Sequence, residues 1–256
     1  FNISKPITPE SYSEKINAAL PKLIKSIVLF GSAASGERVE KRSDYNLLVV
    51  TENIGVLELN QIAKVTTEWL KAGNPPPLFF TLDRLRGSAD CFPIEMLDMK
   101  QFYKVIHGDD VLKDIVVHPT HLRLMTEREI KSLKIQLRQG VIYANGNPDK
   151  VAELIQGTAS TALVLLRAAL RLYTQQIPSK KTDIPAALAA HVKIEADVFN
   201  TAYKLRKGEI KTKEISPMEL FDRYLKNLVI VGDAVDGMAN DSTQGNFGNS
   251  RRLCLP

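Results

Sequence analysis

The residues predict an α/β or α+β first half followed by an all-helical second half, on three observations. Short apolar runs ended by glycine or proline alternate with helical stretches up to about residue 115. Strand signals then stop. From about residue 120 apolar side chains recur only at helical spacing.

Taken in order, Thr8-Pro9-Glu10 opens a helix, with Thr8 as cap and Pro9 where its missing N–H costs little. Ile27 to Phe30 reads as a buried strand that stops at Gly31, and Leu47 to Val50 as a second. Residues 56–71 carry Leu57, Leu59, Ile62, Ala63, Val65 and Trp69 in an amphipathic pattern. Leu78-Phe79-Phe80 follows three prolines and reads as a third strand, and Ile94 to Met99 as a fourth.

In the second half, His121 to Ala144 places Ile130, Leu133, Leu137 and Val141 on one helical face. Asn147-Pro148 caps a helix reaching about Tyr173, apolar nearly all round over 159–172 and hence the centre of a bundle. Two more helices run from about Ile184 to His191 and from about Ala196 to Lys207. Ser216-Pro217-Met218-Glu219 is a capping box that opens a last helix to about Asp236. Gly237 to Ser250 is rich in Gly, Asn and Ser and reads as a tail. The expected division is residues 1–116, 117–238 and a tail over 239–256, with the boundary near 114–121.

Composition narrows the function classes. With 256 residues, 44% hydrophobic and 25% charged, the chain is neither disordered nor fibrous. Two cysteines, Cys91 and Cys254, exclude a disulfide framework and fit a reducing cytosol. No apolar run approaches the ~18 residues of a membrane helix, and no leader precedes Ile3, so a cytoplasmic location without membrane contact is expected. The net charge of +5 divides unevenly. Residues 1–115 carry 14 basic and 15 acidic side chains, and the remainder 20 and 14, giving −1 and +6. A solvated helical surface accounts for that excess better than an acidic partner does. Arginine-rich segments interleaved with aromatics are missing, so nucleic acid is not an expected partner.

The chemistry concentrates between Ile27 and Val50. A buried strand ends in Gly31-Ser32; eleven residues later Asp44-Tyr45-Asn46 enters the next strand. Glycine permits close backbone approach to a phosphate, and serine adds a rotatable donor. Positions 44 and 46 are two apart on a strand and leave the same face. Paired carboxylates there would hold Mg²⁺ against a triphosphate, since hard cations prefer oxygen. The basic residues Arg38, Lys41 and Arg42 lie in between and suit either phosphates or an exposed loop.

This strand, Gly-Ser and spaced-acid arrangement resembles the nucleotidyltransferase superfamily, which includes DNA polymerase beta-like and minimal nucleotidyltransferase domains. The resemblance covers roughly residues 10–110. It implies an α+β fold, with a mixed sheet and flanking helices before the helical bundle. It implies transfer of a nucleoside monophosphate from NTP–Mg²⁺ to a hydroxyl on a small-molecule or protein acceptor. Gly31, Ser32 and Arg42 would then bind the nucleotide. A third acid on a later strand falls on Glu95, with Asp98 competing; as strand residues three apart, these would face opposite ways. Asp44 and Glu95 would be catalytic, and Asp44, Asn46 and Glu95 would hold Mg²⁺.

One departure matters. The family's second acid is Asn46 here, a neutral carboxamide, which weakens metal capture. The competing expectation is therefore a catalytically degenerate member that binds a nucleotide or a protein without chemistry. The histidines at 107, 118, 121 and 191 lack metal-ligand spacing, and no arginine precedes any of them at the four-to-six-residue distance of the HEPN ribonuclease motif.

Overall fold

The computed structural model describes residues 7–34 and 44–244, with the backbone alone at position 32 and over 239–244. The fold is mixed α+β, with a four-stranded sheet followed by a helical region. The chain separates into two compact units, 1–118 and 119–256.

In the first unit, helix α1 (Pro9–Ala19) starts as its cap dictates. The Ser11 N–H donates to Thr8 Oγ1 at 3.2 Å and the Thr8 N–H to Ser11 Oγ at 3.0 Å. Strand β1 (Ile24–Phe30) is followed by a single 3-10 turn, Gly31–Ala33, and then by β2 (Asn46–Thr51). Helix α2 (Val56–Lys71), strand β3 (Leu78–Thr81), short α3 (Leu82–Gly87), α4 (Pro93–Gln101) and β4 (Tyr103–Gly108) complete the unit. The strands lie in the order β3-β2-β1-β4. β1 is antiparallel to both β2 and β4, and β2 is parallel to β3.

Both faces of this sheet are covered, which explains why β1 and β2 read as continuous apolar runs. Val28, Leu48 and Val50 pack with Leu85, Met96 and Met99 on one side. Ile27, Leu29, Leu47 and Val49 pack with Tyr12, Ile16 and Trp69 on the other.

The fourth strand was expected over Ile94 to Met99, and that segment is instead helix α4. Pro93 occupies its first turn, Glu95 lies in that turn and Lys100 in the last, all favourable for a helix. Pro93, Met96 and Met99 are buried at three-residue spacing, which the alternation of Ile94 and Met96 had masked. The strand follows at once as β4, where Phe30 pairs with Tyr103 and Leu29 with Lys104.

The second unit contains α5 (Pro119–Ala144), α6 (Pro148–Leu170), α7 (Ile184–Ala189), α8 (Ala196–Lys207) and α9 (Pro217–Gln244). α6 packs against each of the other four, as its apolar circumference requires. Asn147 caps it by accepting from the Asp149 N–H at 2.9 Å. A tail was expected from Gly237, and 237–244 are helical instead. α9 continues through Gly237 to Gln244, since a single glycine weakens a helix without removing its hydrogen bonds. Residues 245–256 lie outside the described residues.

A pH dependence arises in this bundle. Tyr224 is fully buried, and its hydroxyl donates to Thr158 Oγ1 at 3.4 Å. Burial pushes the phenol well above its ordinary value, against a small opposing pull from Thr158. Above pH ~10 only the unfolded chain releases this proton, so stability is full below that pH and falls above it. The expected loss from Tyr224 is about 1.4 kcal/mol per pH unit. Urea midpoints by far-UV circular dichroism at pH 9, 10 and 11 should fall less steeply in Tyr224→Phe; parallel slopes would refute the assignment.

Candidate functional site

Gly31 closes β1 in the left-handed region at φ +79°, a conformation for which glycine is suited. Its N–H donates to the Phe102 carbonyl at 3.0 Å, and its carbonyl accepts from Ala34 at 2.9 Å, so the turn is held at both ends. Asn46 begins β2 directly opposite Phe30. A Cβ placed on Gly31 would stand 3.6 Å from Asn46 Nδ2. Gly31 and Asn46 therefore form one notch at the end of the β1–β2 pair.

The face on which this notch opens follows from the pleat. Asn46 shares its side of β2 with Leu48 and Val50, which pack with Met96 and Met99 of α4. Tyr45 points the other way; its ring stacks on Trp69 with centroids 5.9 Å apart. α4 also packs against the Gly31–Ala33 turn. The helix bearing Glu95 and Asp98 thus lies on the Asn46 side of the sheet.

Asp44 is exposed just ahead of β2, Glu95 is exposed in the first turn of α4, and Asp98 is half-buried one turn later. The helix corrects the expectation that Glu95 and Asp98 exclude each other: three apart on a helix, they are neighbours on one surface. Ser32 is described for its backbone only, and Arg42 lies outside the described residues together with Arg38 and Lys41.

Among the described residues, no three His, Cys, Asp or Glu side chains gather as a metal-holding group. The oxygen donors near the notch are the Asp44 carboxylate and the Asn46 carboxamide, with Glu95 and Asp98 on the adjoining helix. In donor type this set suits Mg²⁺.

Sequence reasoning did not identify the support behind the notch. Trp69 is fully buried, stacks on Tyr12 with centroids 4.4 Å apart, and donates from Nε1 to the Pro75 carbonyl at 2.7 Å. Asn74 accepts the Tyr45 N–H. The Gly73-Asn74 dipeptide before three prolines is a turn signal, but nothing local names the distant backbone it serves.

The glycine is testable by itself. Gly31→Val places a β-branched residue at positive φ and should cost the first unit about 1–2 kcal/mol or more. Trp69 is the sole tryptophan in the sequence and lies in this unit, so its fluorescence during urea unfolding reports the unit directly. An unchanged midpoint would show that the turn tolerates side chains.

No protein-family model matches the chain, and no curated protein matches it in sequence. Among solved structures it is similar to the spectinomycin adenyltransferase AAD(9) from Enterococcus faecialis, crystallised with ATP and spectinomycin. That likeness has a TM-score of 0.50 at 14% identity, and covers 85% of this chain and 96% of that one. At this identity the likeness shows the fold. Among the described residues, no helix is long and apolar enough to cross a membrane.

Proposed function

We propose that the protein binds a nucleoside triphosphate with its Mg²⁺ at the Gly31–Asn46 notch and transfers the nucleoside monophosphate slowly to a hydroxyl group. The observation that supports this most is the notch itself: a strand ending in left-handed Gly31 against Asn46, on the sheet face that α4 covers. Its fold likeness to an adenyltransferase crystallised with ATP and spectinomycin agrees with a nucleotide donor and a small-molecule acceptor.

The reaction would form a bond from the acceptor oxygen to the α-phosphorus and break the bond to the bridging oxygen, so that pyrophosphate leaves. Glu95, carried on α4, would take the hydroxyl proton, and Asp44 would orient the donor with help from the Asn46 oxygen. Gly31 and Ser32 would admit the terminal phosphates, with Arg42 adding charge to them. When bound, Mg²⁺ would neutralise charge on the phosphates.

Asn46 favours a second reading, in which the site binds a nucleotide, or the fold a protein partner, without chemistry. A neutral carboxamide replaces one carboxylate, and three acids are not gathered among the described residues. The two readings separate in one assay. The full chain is incubated with labelled ATP, GTP, CTP and UTP, with Mg²⁺ or Mn²⁺, and a panel of hydroxylated acceptors including aminoglycosides. Acceptor-dependent pyrophosphate release supports transfer. Binding without release, across the panel, leaves the binding module.

A further inference from the structure

We infer that Asn74 is a positioning residue for this site: its buried side chain accepts the Tyr45 N–H and fixes the entry to β2 at Asn46. The inference rests on the reading proposed above.

The parallel ladder between β2 and β3 begins only at Leu48, opposite Leu78. The antiparallel ladder with β1 reaches Asn46, opposite Phe30. Tyr45 lies one residue ahead of the first of these pairs. Its N–H donates to Asn74 Oδ1 at 3.0 Å. Asn74 is 8% exposed and is itself tied down. Its Nδ2 donates to the Trp69 carbonyl at 3.4 Å, and its backbone N–H reaches the same oxygen at 3.3 Å. Gly73, at φ +87°, makes the corner that turns the side chain inward.

Trp69 completes the clamp. Its indole stacks on the Tyr45 ring, and its N–H holds the Pro75 carbonyl. Tyr45 is thus fixed at its backbone by Asn74 and at its ring by Trp69, both anchored at the end of α2. Asn46, the next residue and the first of β2, inherits a set direction, on the face opposite to Tyr45. Groups that orient ligating side chains in this way commonly govern affinity without touching the ligand. The part of Asn74 that matters is the acceptor oxygen. Aspartate keeps it and alanine removes it.

The test uses the full chain in three forms: unmodified, Asn74→Ala and Asn74→Asp. Mn²⁺–ATP binding is measured by calorimetry, and amide exchange by nuclear magnetic resonance without nucleotide. Asn74→Ala should weaken Mn²⁺–ATP by about tenfold or more while the chain stays folded by circular dichroism. Its Tyr45 amide should lose protection while Leu47 to Val50 keep theirs. Asn74→Asp keeps the acceptor but loses the Nδ2 donation to the Trp69 carbonyl, so it should recover both in part. Unchanged affinity in Asn74→Ala, or equal loss in the two variants, would overturn the positioning role, since then only the corner needs asparagine. Failure of the unmodified chain to bind Mn²⁺–ATP would instead condemn the proposed site. In that event exchange still decides the strut: protection lost in Asn74→Ala and partly kept in Asn74→Asp supports it, and unaltered protection overturns it.

Discussion

Asn46→Asp should tighten Mn²⁺ binding in the presence of nucleotide by about tenfold or more, equivalent to about 1.4 kcal/mol. The position suits a ligand under the proposed reading. It opens β2 in register with Phe30, stands beside the left-handed Gly31, and faces the side of the sheet covered by α4. What it lacks is charge. A carboxamide oxygen offers a dipole to a divalent cation where a carboxylate offers a full negative charge, and hard cations respond to that difference. The substitution is nearly isosteric, so it should leave the fold unchanged. Calorimetry with Mn²⁺ and each nucleotide reads the effect, and pyrophosphate release should rise with it if transfer is the native chemistry. Equal or weaker Mn²⁺ binding in Asn46→Asp would mean that the side chain does not face the metal–nucleotide complex.

Trp69→Ala should remove about 3–5 kcal/mol from the first unit, the range for emptying a large aromatic from a packed core. Three losses combine. The indole is fully buried, it stacks on both Tyr12 and Tyr45, and its N–H satisfies the Pro75 carbonyl. That total is a large share of the ~5–15 kcal/mol that holds a typical domain. Urea unfolding by far-UV circular dichroism should therefore split, with the sheet unit melting early and the helical unit keeping its midpoint. Trp69→Phe should retain a ring to stack and lose the N–H contact with part of the buried volume, costing about 1–3 kcal/mol. If Trp69→Ala and Trp69→Phe cost the same, neither the stack nor the filled volume holds the unit.

The legible parts of this molecule are those where one local cause decides. Thr8-Pro9 fixed the start of α1, Asn147-Pro148 that of α6, and the long apolar repeat the span of α5. β1 and β2 were visible because both sheet faces are covered and their residues are apolar throughout. The segment from Phe92 to Gly108 was misread because Ile94 and Met96 mimic a strand while Pro93, Met96 and Met99 bury a helix. β4 escaped notice for a physical reason as well. It is an edge strand whose Lys104, His107 and Gly108 are exposed, so its apolar content is low.

The candidate site divides in the same way. Gly31, Asp44 and Asn46 stood out by spacing, because chain order brings them to the ends of two paired strands. Glu95 was expected on a strand and lies on a helix, which changes its relation to Asp98 from opposed to adjacent. Asn74 is separated from Tyr45 by twenty-nine positions, and its role exists only once the sheet has formed. A buried amide that serves a distant backbone leaves no local pattern.

The most direct measurement is calorimetric titration of the full chain with the four nucleoside triphosphates in Mg²⁺, repeated on Gly31→Val. Binding at the notch requires saturable one-site heat with at least one nucleotide, and its loss in a folded Gly31→Val protein. Absence of heat with all four, or undiminished binding in Gly31→Val, would contradict a nucleotide site between Gly31 and Asn46.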